Sequence, residues 1–110
     1  MLGCTHPNLL PLLGVCMEPY EPMCIVSPYL GGGSLYGRLF PALRASVGVA
    51  AAIVAATPPL PPLRAAERVD VLILVARALK HLHGLPEPVV HRDVKSLNIL
   101  LDGAHGAPGF

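Results

Sequence analysis

The chain has 110 residues, the length of one domain, and its 53% apolar share is enough to drive burial, although thirteen prolines and eleven glycines confine regular elements to a few windows. Eight basic and seven acidic residues leave a net charge of +1, which argues against nucleic acid or an anionic membrane as a partner. Three cysteines, Cys4, Cys16 and Cys24, without a Cys-x-x-Cys pair, speak against a disulfide framework and are expected as buried free thiols in a reducing compartment.

A zinc site from Cys4, His6, Cys16 and Cys24 lacks the close ligand pairs such sites use. The first residues carry no positive n-region and soon meet Pro7 and Pro11, unlike a secretory signal, so a cytoplasmic location is expected. Residues 45–56 are uncharged and rich in Ala and Val. The run meets Pro58, Pro59, Pro61 and Pro62 before reaching the roughly 20 residues a span needs, and reads as a low-complexity insertion rather than a membrane segment.

In chain order, the apolar run 9–16 is too short and too marked by Pro11 and Gly14 for a helix, and predicts a strand over about 12–16. After a turn-like 17–22, Met23-Cys24-Ile25-Val26 has the β-branched content of a second strand, and the two make an antiparallel hairpin. Gly31-Gly32-Gly33 lacks the spacing of a phosphate-binding loop and reads as a flexible linker. Ser34 is placed to cap a brief helix over 35–40.

Residues 41–63 form an Ala/Val/Pro tract unlike either flank. A helix is predicted over 67–83, with Val69, Leu72, Ile73, Ala76, Leu79 and Leu82 at three- and four-residue steps. Glu67 and Asp70 suit its start, Lys80 and His81 its end, and Gly84 with Pro86 stops it. His81 and His83 are two apart, the wrong spacing for a shared metal on a helix, and read as surface or helix-end residues.

Val89-Val90 and Ile99-Leu100-Leu101 are expected as minimal strands holding a polar loop, His91-Arg92-Asp93-Val94-Lys95-Ser96-Leu97-Asn98. His-Arg-Asp followed five residues after the aspartate by Asn is a specific pattern for phosphoryl transfer, a reaction that asks the protein mainly for positioning and charge neutralisation. In such a loop Asp93 orients an acceptor hydroxyl and takes its proton. Asn98 offers a neutral oxygen to Mg²⁺, and Lys95 sets a positive charge beside the moving phosphate. Read without that pattern, Arg92, Asp93 and Lys95 are solvated surface charges.

The stretch HRDVKSLNILLD resembles the catalytic loop of the group comprising interleukin-1-receptor-associated kinases, Pelle and plant receptor-like kinases. His6-Pro7-Asn8 with LLPLLGVC is similar to the end of kinase helix αC and strand β4, CIVSPYLGGGSLYGRL to strand β5, the hinge and helix αD, and 67–83 to helix αE. The resemblance implies an α+β, partial protein-kinase-like fold, mostly the helical C-lobe portion, with catalytic loop and strands β6–β7. It divides the chain into an N-lobe remnant at 5–27, hinge and αD at 28–40, an insertion at 41–63, αE and catalytic loop at 64–102, and a tail at 103–110.

What the family does is then expected of this chain: transfer of phosphate from ATP, with Mg²⁺, to a serine or threonine hydroxyl of a protein substrate, in signalling beneath a receptor or adaptor complex. Ser27 becomes the gatekeeper, Pro28 and Leu30 the backbone partners of adenine, and Leu100 the floor beneath it. Leu12 and His91 become members of the spine of active kinases, and Arg92 the partner of an activation loop. Lys95, two places after Asp93, matches the serine/threonine rather than the tyrosine pattern.

The family differs in usually having a large gatekeeper, Pro-Asn-Gly-Ser after the hinge, and a tryptophan before αE. Within the 110 residues no glycine-rich loop, β3 lysine or αC glutamate precedes His6, and no Asp-Phe-Gly follows Asn98. Little or no independent activity is therefore expected, and an unpartnered hairpin predicts poor folding in isolation. A noncatalytic kinase-like binding module and a truncated product are the competing readings.

Overall fold

The computed structural model describes residues 4–19, 22–41 and 60–103. Most of the Ala/Val/Pro tract, 42–59, and the tail from 104 onward lie outside them. The elements follow as β1 (Gly14–Cys16), β2 (Cys24–Val26), α1 (Leu35–Leu39), α2 (Ala65–His83) and a 3₁₀ turn over Ser96–Asn98.

The hairpin forms where expected. β1 and β2 are antiparallel, with Gly14 opposite Val26, Val15 opposite Ile25 and Cys16 opposite Cys24, and the Leu13 amide donates to the Val26 carbonyl at 2.8 Å. Among the described residues no third strand joins this sheet, and Val15, Ile25 and Val26 all remain exposed. An isolated pair of strands is marginal in water, because neither face is covered. For the same reason the expected burial of the thiols fails: Cys16 and Cys24 are exposed and Cys4 is half-buried. Upstream, His6 to Asn8 forms a turn, closed by the Leu9 amide on the His6 carbonyl at 3.0 Å.

Ser34 caps α1 as its position predicts: its backbone is extended and its Oγ accepts from the Gly37 amide at 3.2 Å. α2 runs 19 residues and starts two residues earlier than the apolar periodicity suggests. Glu67 accounts for the early start, since its Oε2 accepts from the Arg64 amide at 2.6 Å and its Oε1 pairs with the Arg64 guanidinium at 3.1 Å. The side-chain bond from Arg64, then that from the Arg64 backbone, hold the Glu67 carboxyl below the usual carboxylate range. At the other end the Gly84 amide donates to the Lys80 and His81 carbonyls.

α2 buries the predicted face only at its C-terminal end, where Leu82 is buried and Leu79 half-buried. Farther back Val71 and Ala78 are buried and Val75 is half-buried, while Val69, Leu72, Ile73 and Ala76 stay exposed. The run Val71-Leu72-Ile73-Leu74-Val75 is apolar on every side, so its periodicity does not choose a face. The partners choose it: Val71 packs with Leu35, Leu63 and Leu101 in the core cluster, and Leu39, Val75 and Ile99 close around them. No described helix is long and apolar enough to cross a membrane.

Neither Val89-Val90 nor 99–101 becomes a strand. Leu100 bridges antiparallel to Ser34, flanked by the Leu35 amide on the Ile99 carbonyl and the Leu101 amide on the Gly33 carbonyl, both 2.8 Å. The Val89 amide turns back to the Leu82 carbonyl at 3.0 Å. The polar loop is thus fixed by the end of α2 on one side and by the start of α1 on the other.

A candidate phosphoryl-transfer loop

The loop reverses at Arg92, whose φ of 66° lies in the left-handed region that costs a non-glycine residue about 1–2 kcal/mol. That reversal lets the Asp93 amide donate to His91 Nδ1 at 3.3 Å. Beyond Asp93 the chain extends through Lys95 and tightens into the 3₁₀ turn, where the Asn98 amide donates to the Lys95 carbonyl at 2.9 Å. The turn carries Asn98 back to Asp93.

Three polar side chains meet there. Asn98 Nδ2 donates both to the Asp93 backbone oxygen at 2.9 Å and to Asp93 Oδ2 at 2.7 Å, and Lys95 Nζ stands 2.9 Å from Asp93 Oδ1. Lys95 first, then Asn98, hold the Asp93 carboxyl below its ordinary range, so it is an anion at neutral pH. All three are exposed. The arrangement presents a fixed carboxylate, an ammonium and an amide oxygen on one short loop, the set with which an acceptor hydroxyl and a phosphate can be held.

The other sequence-predicted residues are placed less closely. Ser27 is exposed, Pro28, Leu30 and Leu100 are half-buried, and the segment from Ser27 leads to Ser34, which bridges Leu100. The end of the expected hinge is therefore tied to the expected adenine floor. Leu12 is exposed, and the cleft that His91 lines is instead walled by Leu9, Val75, Leu79, Val94 and Asn98. That cleft holds about 70 Å³. Small-molecule sites occupy roughly 300–1,000 Å³, so this cleft is smaller than such a site.

Two residues that support the loop escape sequence reasoning. Gly32, read as linker, lies where a Cβ would fall 2.6 Å from the Leu101 carbonyl carbon and 2.9 Å from the Gly103 oxygen. The glycine permits a close backbone approach. Arg38 is 5% exposed, its Nε donating to the Pro61 carbonyl at 2.9 Å and its Nη1 to the Gly32 carbonyl at 3.5 Å, so it ties the approach to α2 onto the glycine turn. Its helical position beside Leu39 was the only signal, and charged residues seldom occupy cores. His81, expected at the surface, is half-buried against His6 with ring centroids 5.0 Å apart, and among the described residues its Nε2 has no hydrogen-bond partner. No group of three His, Cys, Asp or Glu side chains able to hold a metal occurs among the described residues.

The family model for protein tyrosine and serine/threonine kinases matches residues 1–106. The chain is 40% identical over 100 residues to the nodulation receptor kinase of Pisum sativum, covering 88% of the chain and 9% of that protein. It is 44% identical over 98 residues to the U-box domain-containing protein 51 of Arabidopsis thaliana, covering 88% and 11%. With cyclic GMP-binding protein C of Dictyostelium discoideum it shares 32% over 103 residues, covering 94% and 3%. The chain thus spans a small part of the relatives it matches. With a kinase model matching nearly its whole length and receptor kinases among its relatives, the chain belongs to the protein tyrosine and serine/threonine kinase family.

Proposed function

We propose that residues 91–98 are the catalytic loop of a serine/threonine protein kinase that transfers the γ-phosphate of ATP to a protein hydroxyl. The observation that carries this reading is the Asp93 carboxylate held between Lys95 at 2.9 Å and Asn98 at 2.7 Å. Asp93 accepts the hydrogen bond of the incoming serine or threonine hydroxyl and takes its proton as the bond to phosphorus forms. A lowered pKa makes it a weak base, which suits a loose transition state in which orientation matters more than early deprotonation. Lys95 swings from Asp93 to the phosphoryl oxygens and offsets charge there.

Asn98 donates through Nδ2 to Asp93, which leaves Oδ1 as its acceptor atom. A hard oxygen of this kind suits Mg²⁺, which takes one or two protein ligands and completes its shell with water and phosphates. The ion supplies neutralisation of the phosphate charge. Ser27, Pro28, Leu30 and Leu100 form the adenine edge and floor; Leu12 and His91 belong to the spine, and Arg92 meets the activation loop. These assignments rest on the resemblance of LLPLLGVC, CIVSPYL and HRDVKSLNILL to kinase segments.

The 110 residues alone are proposed to transfer little phosphate, because nothing in them takes the place of the β3 lysine or the Asp-Phe-Gly aspartate. A cytoplasmic signalling role beneath a receptor or adaptor follows from the same resemblance. The test is a chimera in which residues 63–102 replace the matching segment of an active receptor kinase. The folded chimera is expected to phosphorylate serine and threonine peptides with Mg²⁺ and ATP, and Asp93→Asn to lower kcat by about 10²–10⁴-fold. A folded chimera without activity, or one indifferent to Asp93→Asn, refutes the reading.

A further inference from the structure

We infer that Cys16 and Cys24 form a peroxide-sensitive dithiol that closes to a cross-strand disulfide over the β1–β2 hairpin. The register sets these residues directly opposite each other on antiparallel strands, so their side chains leave the same face of the sheet. Opposed residues have Cα atoms about 4.5–5.5 Å apart, within the roughly 4.4–6.8 Å that a disulfide spans. Both thiols are exposed, so an oxidant reaches them without opening the fold. Cys4 is half-buried and lies outside the sheet.

Cys24 Sγ donates to the Pro22 carbonyl at 3.3 Å. One of the two sulfurs, as its thiolate, attacks peroxide and breaks the O–O bond; it becomes a sulfenic acid, and the hydroxide expelled takes a proton from solvent and leaves as the first water. The other thiol then attacks that sulfur, the S–S bond forms, the S–O bond breaks, and the thiol proton leaves with the hydroxyl as the second water. Two thiols have given two electrons to one peroxide. The bond pins the hairpin that leads into Ser27 and Pro28, and a dithiol reductant reverses it.

The experiment uses the 110-residue chain with hydrogen peroxide, followed by peptide mapping without reduction. The expected product is a Cys16–Cys24 link in preference to any link with Cys4. In Cys4→Ser the link is expected to close at least about tenfold faster in native buffer than in concentrated guanidinium, where only chain proximity acts. In Cys24→Ser a sulfenic-acid probe is expected to label Cys16, which has lost the partner that closes the bond, more than it labels the parent chain. Equal closure rates with and without denaturant, a mixture containing Cys4 links, or equal labelling of the parent and Cys24→Ser overturns the inference.

Discussion

Replacing Gly32 with alanine is the sharpest test of how the loop is held. The new Cβ would enter the contact distance of the Leu101 oxygen and sit 2.6 Å and 2.9 Å from two other backbone atoms, none able to swing away as a side-chain tip could. Residues 99–101 must shift. Leu101 is fully buried and bonded through its amide to Gly33, and the Leu35 amide is bonded to Ile99, both at 2.8 Å. Losing two such bonds costs about 1 kcal/mol each, and overpacking adds about 1–3 kcal/mol. Against this the alanine gains back about 0.4–1 kcal/mol by restricting the unfolded chain. The net of about 2–4.6 kcal/mol corresponds to roughly a 30- to 2,500-fold loss in hydrogen-exchange protection at the Leu35 and Leu101 amides. Gly31 has nothing within 4 Å and no positive φ, so Gly31→Ala is the control and should leave protection unchanged or slightly raised. Equal loss in the two variants, or protection in Gly32→Ala within about twofold of the parent, would show that the approach to Leu101 does not hold the loop.

Other consequences follow from the same contacts. Because Lys95 and Asn98 depress the Asp93 pKa below its unfolded value, the cluster contributes stability above the ordinary carboxylate range, and that contribution is lost as pH falls through the depressed value. Carboxyl NMR titration should find Asp93 titrating below the usual aspartate range, and Lys95→Ala should move it upward; no movement would deny the 2.9 Å pair. Arg38→Met leaves the Pro61 and Gly32 carbonyls without their buried donor and is expected to cost about 2–3 kcal/mol by denaturant unfolding, with Arg38→Lys recovering only part because an ammonium lacks the guanidinium fork. A wild-type midpoint in Arg38→Met would remove Arg38 from the scaffold.

What could be read from the sequence was what local chemistry dictates. The spacing of Asp93 and Asn98 marks a short turn that brings the two side chains together, the hairpin follows from Gly14, Pro22 and β-branched neighbours, and the start of α1 from Ser34. What depends on a distant partner was hidden. The face that α2 buries is selected by Leu63 and Leu101, the partner of Leu100 is Ser34 rather than Val89 or Val90, and Gly32 matters only because Leu101 comes to rest against it. Exposure of Cys16 and Cys24 was missed for the same reason, since their apolar setting promised a covering layer that the described residues do not supply.

The bridge between Ser34 and Leu100 also sets an order of events during synthesis. At roughly 5–20 residues per second, the ribosome finishes the second partner some 3 to 13 seconds after the first. Until then the cap of α1 and the three glycines before it wait with their carbonyls and amides open to water. α2, whose contacts are largely local, can wind within microseconds of emerging. Among these residues the loop that bears Asp93 therefore takes shape after α2 on the nascent chain, and any pause placed between those two codons lengthens the interval in which it is unmade.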